Sequence, residues 1–282
     1  MFHQRPSQFA SALFSLLLIT FALSASAATY MAVNVPGSIG TQLFGINIAG
    51  DIVGSYAPNS SELRGFLRVK QTYIDVVYPG TTFDVATGIN DAGAIVGYYA
   101  GSDGNNHGFL YQNGNFTVID YPGAVSTQAM AINNAGVIGG YYWDSAGLSH
   151  GFRLKNNQFR SISGPKAVRT AVTGINNHNN MVGYYYDANF RAHGFAIVGG
   201  KFQTIDVGSV STNALGINDN DVMVGEYGVN NTDVGFILKG GQVTTFSYPG
   251  SNVTFPNGIN DNNKIVGTYS DASGVAHGFI RK

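Results

Sequence analysis

Residues Ala86–Gly123 read ATGINDAGAIVGYYAGSDGNNHGFLYQNGNFTVIDYPG, and the division of this stretch decides the fold. Four short runs rich in β-branched and aromatic residues stand out: Ala86–Asn90, Ala94–Ala100, Gly108–Tyr111 and Asn115–Tyr121. Gly, Asn and Asp separate them, the residue types that accept positive φ and close hairpins cheaply. No helical apolar period runs through the stretch. Four antiparallel strands in so short a span make one propeller blade.

The stretch recurs six times. Its Asn returns at Asn47, Asn90, Asn133, Asn176, Asn218 and Asn260, in steps of 43, 43, 43, 42 and 42 residues. Seven residues after each Asn stands a Gly (Gly54, Gly97, Gly140, Gly183, Gly225, Gly267), and nine after it a Tyr (Tyr56, Tyr99, Tyr142, Tyr185, Tyr227, Tyr269). Three after it come Gly50, Gly93, Gly136, Asn179, Asp221 and Asn263, all suited to a left-handed turn position. The repeated Asn is expected to bond backbone within that hairpin. A Gly-Phe pair opens each third strand, from Gly65-Phe66 to Gly278-Phe279, and the Phe is expected between blades. The prediction is an all-β fold, a six-bladed β-propeller of four-stranded blades. The sequence ends in a third strand, His277–Lys282, with no fourth after it. Tyr30–Gly37 aligns with Phe116–Gly123, the fourth strand of the second copy and its turn. The N-terminal strand is therefore expected to complete the last blade and close the ring as one domain, 28–282.

The string Ile-Asn-Asn-Ala-Gly-Val-Ile-Gly-Gly-Tyr-Tyr at 132–142, followed by His150-Gly151-Phe152, resembles the extracellular HAF-repeat proteins of bacteria, named for a His-Ala-Phe triplet at this place. The resemblance extends over essentially all of 28–282. Here the middle residue is Gly in every copy, and the His is replaced by Arg64 in the first copy and Val234 in the fifth. The resemblance implies secretion and a propeller-like repeat, and it transfers no catalytic residue.

Residues 1–27 differ from the rest. Arg5 gives a positive start, Ala10–Leu23 is apolar, and Ala25-Ser26-Ala27 has the small-x-small form of a signal-peptidase site. The apolar run is too short to span a bilayer, so a cleaved export signal and a secreted or periplasmic protein are expected, with no membrane insertion after cleavage. There is no Cys, which excludes disulfides, a thiolate metal site and a Cys nucleophile. Without Arg5, 14 basic and 16 acidic residues remain, which argues against a nucleic-acid partner. A monomer is expected.

The chemistry-bearing residues are few. His107, His150, His193 and His277 occupy equivalent positions, but ring positions on neighbouring blades stand on the order of 10 Å apart, too far for shared metal ligation. They are read as structural hydrogen-bonding groups; no metal site and no cofactor is expected. Asp144, Asp187 and Asp271 recur two residues after the repeated Tyr and are read as turn caps. Asp219-Asn220-Asp221 and Asp261-Asn262-Asn263 lack the spacing of a calcium loop. Glu226 stands where other copies have Ser55, Tyr98, Tyr141, Tyr184 and Thr268, which makes it a weak catalytic candidate if it faces the channel. The second-to-third loops and the interblade stretches vary most, and strand alternation puts both on one face. That face carries Trp143, Tyr186, Arg169, Arg191 and Lys166, the expected ligand-binding residues. The functional expectation is a propeller without evident catalysis that binds an extracellular glycan or protein there. The alternative is an extracellular polysaccharide-acting hydrolase or lyase at the channel mouth.

Overall fold

The computed structural model describes residues 28–230 and 232–282; the expected export segment lies outside them. Every regular element among the described residues is a strand, arranged in six four-stranded antiparallel sheets. In the second blade these are Asp84–Ile89, Ile95–Ala100, Asn106–Gln112 and Asn115–Ile119, from the axis outward. The inner and third strands begin two residues before the sequence expectation. Pairing of Asp84 with Tyr99 and of Asn106 with Ala100 carries both ladders into the loops.

The sixth blade takes its inner three strands from Thr254–Ile259, Ile265–Ser270 and Ala276–Arg281, and its outer strand from Tyr30–Val33. Tyr30 pairs with Arg281 and Val33 with Gly278. The first described strand thus closes the ring, and the strand Ala276–Arg281 is not left as an unpaired edge.

The repeat letters now have physical meanings. All six Gly-Phe phenylalanines are wholly buried in clusters between blades. Burying each stabilises by roughly 1.5–3 kcal/mol. The Gly seven residues after the Asn is where the Phe ring lies against the second strand. A Cβ on Gly97 would stand 2.0 Å from the Val85 carbonyl oxygen and 2.6 Å from the Phe109 ring, so only Gly fits. The position three after the Asn has positive φ in all six blades, between 54° and 89°.

Each repeated Asn does more than cap its own hairpin. Asn90 Oδ1 accepts from the N–H of Ala92 (3.1 Å) and Ala94 (2.9 Å), as the sequence suggests. Its Nδ2 also donates to the main-chain oxygen of Asn133 in the next blade, at 3.2 Å. The same bond passes from Asn133 to Asn176, Asn176 to Asn218 and Asn218 to Asn260, each at 3.0 Å. Asn260 reaches Asn47 at 2.9 Å and Asn47 reaches Asn90 at 3.5 Å, completing a hydrogen-bonded circle around one channel mouth.

Candidate functional site: the loop-bearing mouth of the channel

Each inner strand carries a β-bulge against its second strand, between Leu43 and Gly45 in the first blade and at the matching place in the other five. A bulge re-aims the extra residue. The six extra residues, Phe44, Thr87, Met130, Thr173, Leu215 and Asn257, line a cavity of about 180 Å³ on the axis, joined by Tyr141 and Tyr184. Nothing in the repeat marks these positions, because their residue types differ and the bulge is a property of pairing. Beyond them the channel narrows. Buried Ile46, Ile89, Ile132, Ile175, Ile217 and Ile259 form its waist, and the Asn circle its far mouth.

Tyr98, Tyr141, Tyr184 and Glu226 share one register position, opposite Val85, Gln128, Ala171 and Asn213. Glu226 is only 5% exposed. Asn213 Nδ2 donates to its Oε1, while Glu226 Oε2 and Asn213 Oδ1 are buried without a partner among the described residues. Burial lifts the Glu226 carboxyl to about 7; the Asn213 hydrogen bond opposes the rise and the charge of Asp233 adds to it. Tyr184 is pushed up to about 12, mainly by burial and next by Tyr186. The walls of the axial cavity hold neither an Arg nor a carboxylate, so Glu226, an Arg and a second acid are not gathered there.

The second-to-third loops and the interblade stretches do share a face. Val125 N–H donates to the Trp143 carbonyl at 2.8 Å and Val168 N–H to that of Tyr186 at 2.9 Å. Here the structure brings Trp143, Tyr186 and Arg169 together. Arg169 pairs in register with Tyr186, and its guanidinium carbon lies 5.2 Å from the centroid of the Trp143 ring. Tyr141 and Trp143 make an edge contact at 6.5 Å, and Tyr184 and Tyr186 another at 5.9 Å, so the rings step from axial cavity to rim.

Two of the expected ligand-binding residues stand apart. Arg191 is drawn outward to Asp206, 4.0 Å away, and its N–H caps onto Asp187. Lys166 is exposed on the turn leading into the fourth blade, at φ 53°, where Gly80, Gly123 and Gly250 stand in other blades.

Phe190 belongs to the cluster and was not anticipated. It is 65% exposed, has φ 59°, and lies 5.9 Å from the Arg169 guanidinium. Gly147 and Gly274 occupy the equivalent turn position in the third and sixth blades. The readable signal was a bulky residue after Asp187-Ala188-Asn189, where the other Asp turns carry Gly. A left-handed backbone costs a residue with a Cβ about 1–2 kcal/mol, and such strain gathers at functional sites.

The four histidines are braces. His107 bonds Asp120 at 2.9 Å and Asp103 at 3.2 Å; His193 bonds Asp206 at 2.8 Å. His150 Nε2 meets Asp144 at 2.9 Å and His277 Nε2 meets Asp271 at 3.1 Å. The second oxygens of Asp144, Asp187 and Asp271 accept backbone N–H groups of their turns, as expected of caps. In the first copy Arg64 takes over, bridging Glu62 at 2.8 Å and Asp75 at 3.3 Å.

No family model and no curated protein matches the sequence. Solved structures do resemble the fold. SapL1 lectin in complex with alpha methyl fucoside superposes with a TM-score of 0.58 at 12% identity, over 84% of this chain and 90% of that one. The β-propeller domain of the Trilobed protease from Pyrococcus furiosus, with an open velcro topology, gives 0.53 at 9% identity, over 86% and 97%. The six-bladed lectin of Aleuria aurantia gives 0.50 at 11%, over 87% and 92%. At these identities the likeness is one of fold. This chain differs from the protease propeller in having its ring closed by the Tyr30–Val33 strand.

Proposed function

We propose that this chain is a secreted, HAF-type repeat propeller that binds an extracellular carbohydrate through its loop-bearing mouth, without catalysis. The observation that carries the reading is the rim cluster of Trp143, Arg169 and Phe190, in which an exposed aromatic ring is held at a strained backbone position beside a guanidinium already resting on a second ring. Flat aromatic faces suit the C–H faces of pyranose rings, and an aromatic-Arg cluster is a characteristic recognition surface. SapL1 and the Aleuria aurantia lectin recognise fucose on a propeller, so the scaffold accommodates sugar binding; which sugar is recognised is a matter for each site. Export rests on the Arg5, Ala10–Leu23 and Ala25-Ser26-Ala27 pattern. The walls of the axial cavity carry neither an Arg nor a carboxylate, which favours binding over hydrolysis there.

A glycan array of the purified 28–282 protein tests this. Wild type should give a defined set of positive glycans, and Trp143→Ala should weaken them by about tenfold or more, the scale of losing a central aromatic contact. Absence of signal from wild type would remove the sugar-binding reading.

A further inference from the structure

The rim of the fourth blade has a charge asymmetry. Three acids of this rim are already engaged: Asp144 with His150, Asp187 with His193 and turn amides, and Asp206 with His193 and Arg191. Arg64 and Arg191 are likewise held in ion pairs. Arg169 and Lys166 form no ion pair among the described residues. Arg169 lies over Trp143 and Phe190, which orders the guanidinium without occupying its in-plane N–H groups, and no side-chain hydrogen bond of Arg169 is found among the described residues. Lys166, three residues earlier, holds its ammonium at an exposed turn where other blades have Gly. Thus the fourth blade puts residues with side chains at two left-handed turn positions: Phe190, which lies beside the Arg169 guanidinium, and Lys166, three residues before Arg169 in the chain.

We propose, resting on the carbohydrate reading, that this rim selects acidic sugars, the Arg169 fork receiving the carboxylate of a uronic-acid unit whose ring packs on Phe190 and Trp143. A planar carboxylate matches the guanidinium fork in two parallel hydrogen bonds, which a lone ammonium does not reproduce. Lys166 adds a point charge for a carboxylate on an adjoining unit. The acidic balance of the molecule as a whole, 14 basic against 16 acidic residues once Arg5 is gone, gives no general attraction for polyanions, so the selectivity is local.

Binding of three tetrasaccharides, one of uronic acid, one sulfated and one uncharged, is measured by calorimetry with wild type, Arg169→Ala, Arg169→Lys and Lys166→Ala. Wild type should bind the uronate at least about tenfold more tightly than the uncharged tetramer. Arg169→Ala should abolish that preference with a loss of about 10–100-fold, and Arg169→Lys should restore only part of it. Lys166→Ala, at an exposed turn, should reduce the preference several-fold and steepen nothing in the thermal melt. Equal binding of charged and uncharged tetramers sinks the acidic selectivity and leaves the sugar reading standing. A preference for sulfate over carboxylate, or one that survives Arg169→Ala, overturns the assignment of the fork. No binding of any tetramer removes both readings together.

Discussion

At the residue scale Glu226 is the clearest departure from its own repeat. Its neighbours in register are Tyr and small polar residues, and the buried setting that suits a phenol ring is hostile to a carboxylate. Because burial raises its folded-state value to about 7 from an ordinary 4.5, the native protein holds the proton more tightly than the unfolded chain does. Its contribution is therefore most favourable below about pH 4.5, declines as pH rises to 7, and stays lost above that. The change is on the order of 3 kcal/mol over that window. Denaturant unfolding of wild type and Glu226→Gln at pH 5 and pH 8 should show the variant lacking this decline; identical pH dependence in the two proteins would show that Glu226 does not titrate in this way. That Glu226 broke the pattern was legible in the sequence. Its partner Asn213 was not, because thirteen residues separate two side chains that meet only across paired strands. Phe190 shows the same limit. Its type was visible, but its role depends on the sign of φ and on an Arg that comes from the inner strand of the blade, Arg169–Ile175.

At the scale of the element the repeated Asn explains itself only in part within one hairpin. Its oxygen closes the turn, while its amide reaches a carbonyl 42 or 43 residues away, or 213 where the ring joins. Asn133→Ala removes bonds to the N–H groups of Ala135 and Val137 and to the Asn176 carbonyl. Stranding buried backbone groups costs about 1–3 kcal/mol apiece, so a loss of about 3 kcal/mol and a melting temperature lower by about 6–12 °C are expected. Asn133→Asp keeps the turn acceptor and loses the donor to the next blade; differential scanning calorimetry should place it between wild type and Asn133→Ala. If the two variants melt together, the interblade bond contributes nothing beyond the turn. The inner-strand bulges belong to this scale too. They direct Phe44, Thr87, Met130, Thr173, Leu215 and Asn257 to the axis, and period-two alternation along the sequence would have sent them elsewhere.

At the scale of the molecule closure is the governing fact. Val33 and Val35 share a buried cluster with Leu43, Ile46, Ile52 and Phe66 of the first blade and Val266 and Ile280 of the sixth. Deleting residues 28–37 would leave the outer edge of Ala276–Arg281 without its partner strand and open this cluster. The deleted protein should lose cooperative unfolding or associate through the bared edge, read by calorimetry and by size-exclusion chromatography. A monomer melting like wild type would show the strand to be dispensable. The sequence by itself determined the number of blades, the four strands in each, the Phe layer and the circular pairing of the termini. The first two follow from periodicity and turn chemistry, which act between residues close in the chain, the Phe layer from the repeated Gly-Phe pair, and the closure from a last copy one strand short and a spare strand at Tyr30–Val33. Only the tertiary structure decided that Trp143, Arg169 and Phe190 meet while Arg191 turns away to Asp206, and that the channel is walled by bulged residues. These outcomes depend on neighbouring blades packing face to face and on local breaks in strand register, where the contacting groups are tens of residues apart and no repeat records which of several available partners each will take.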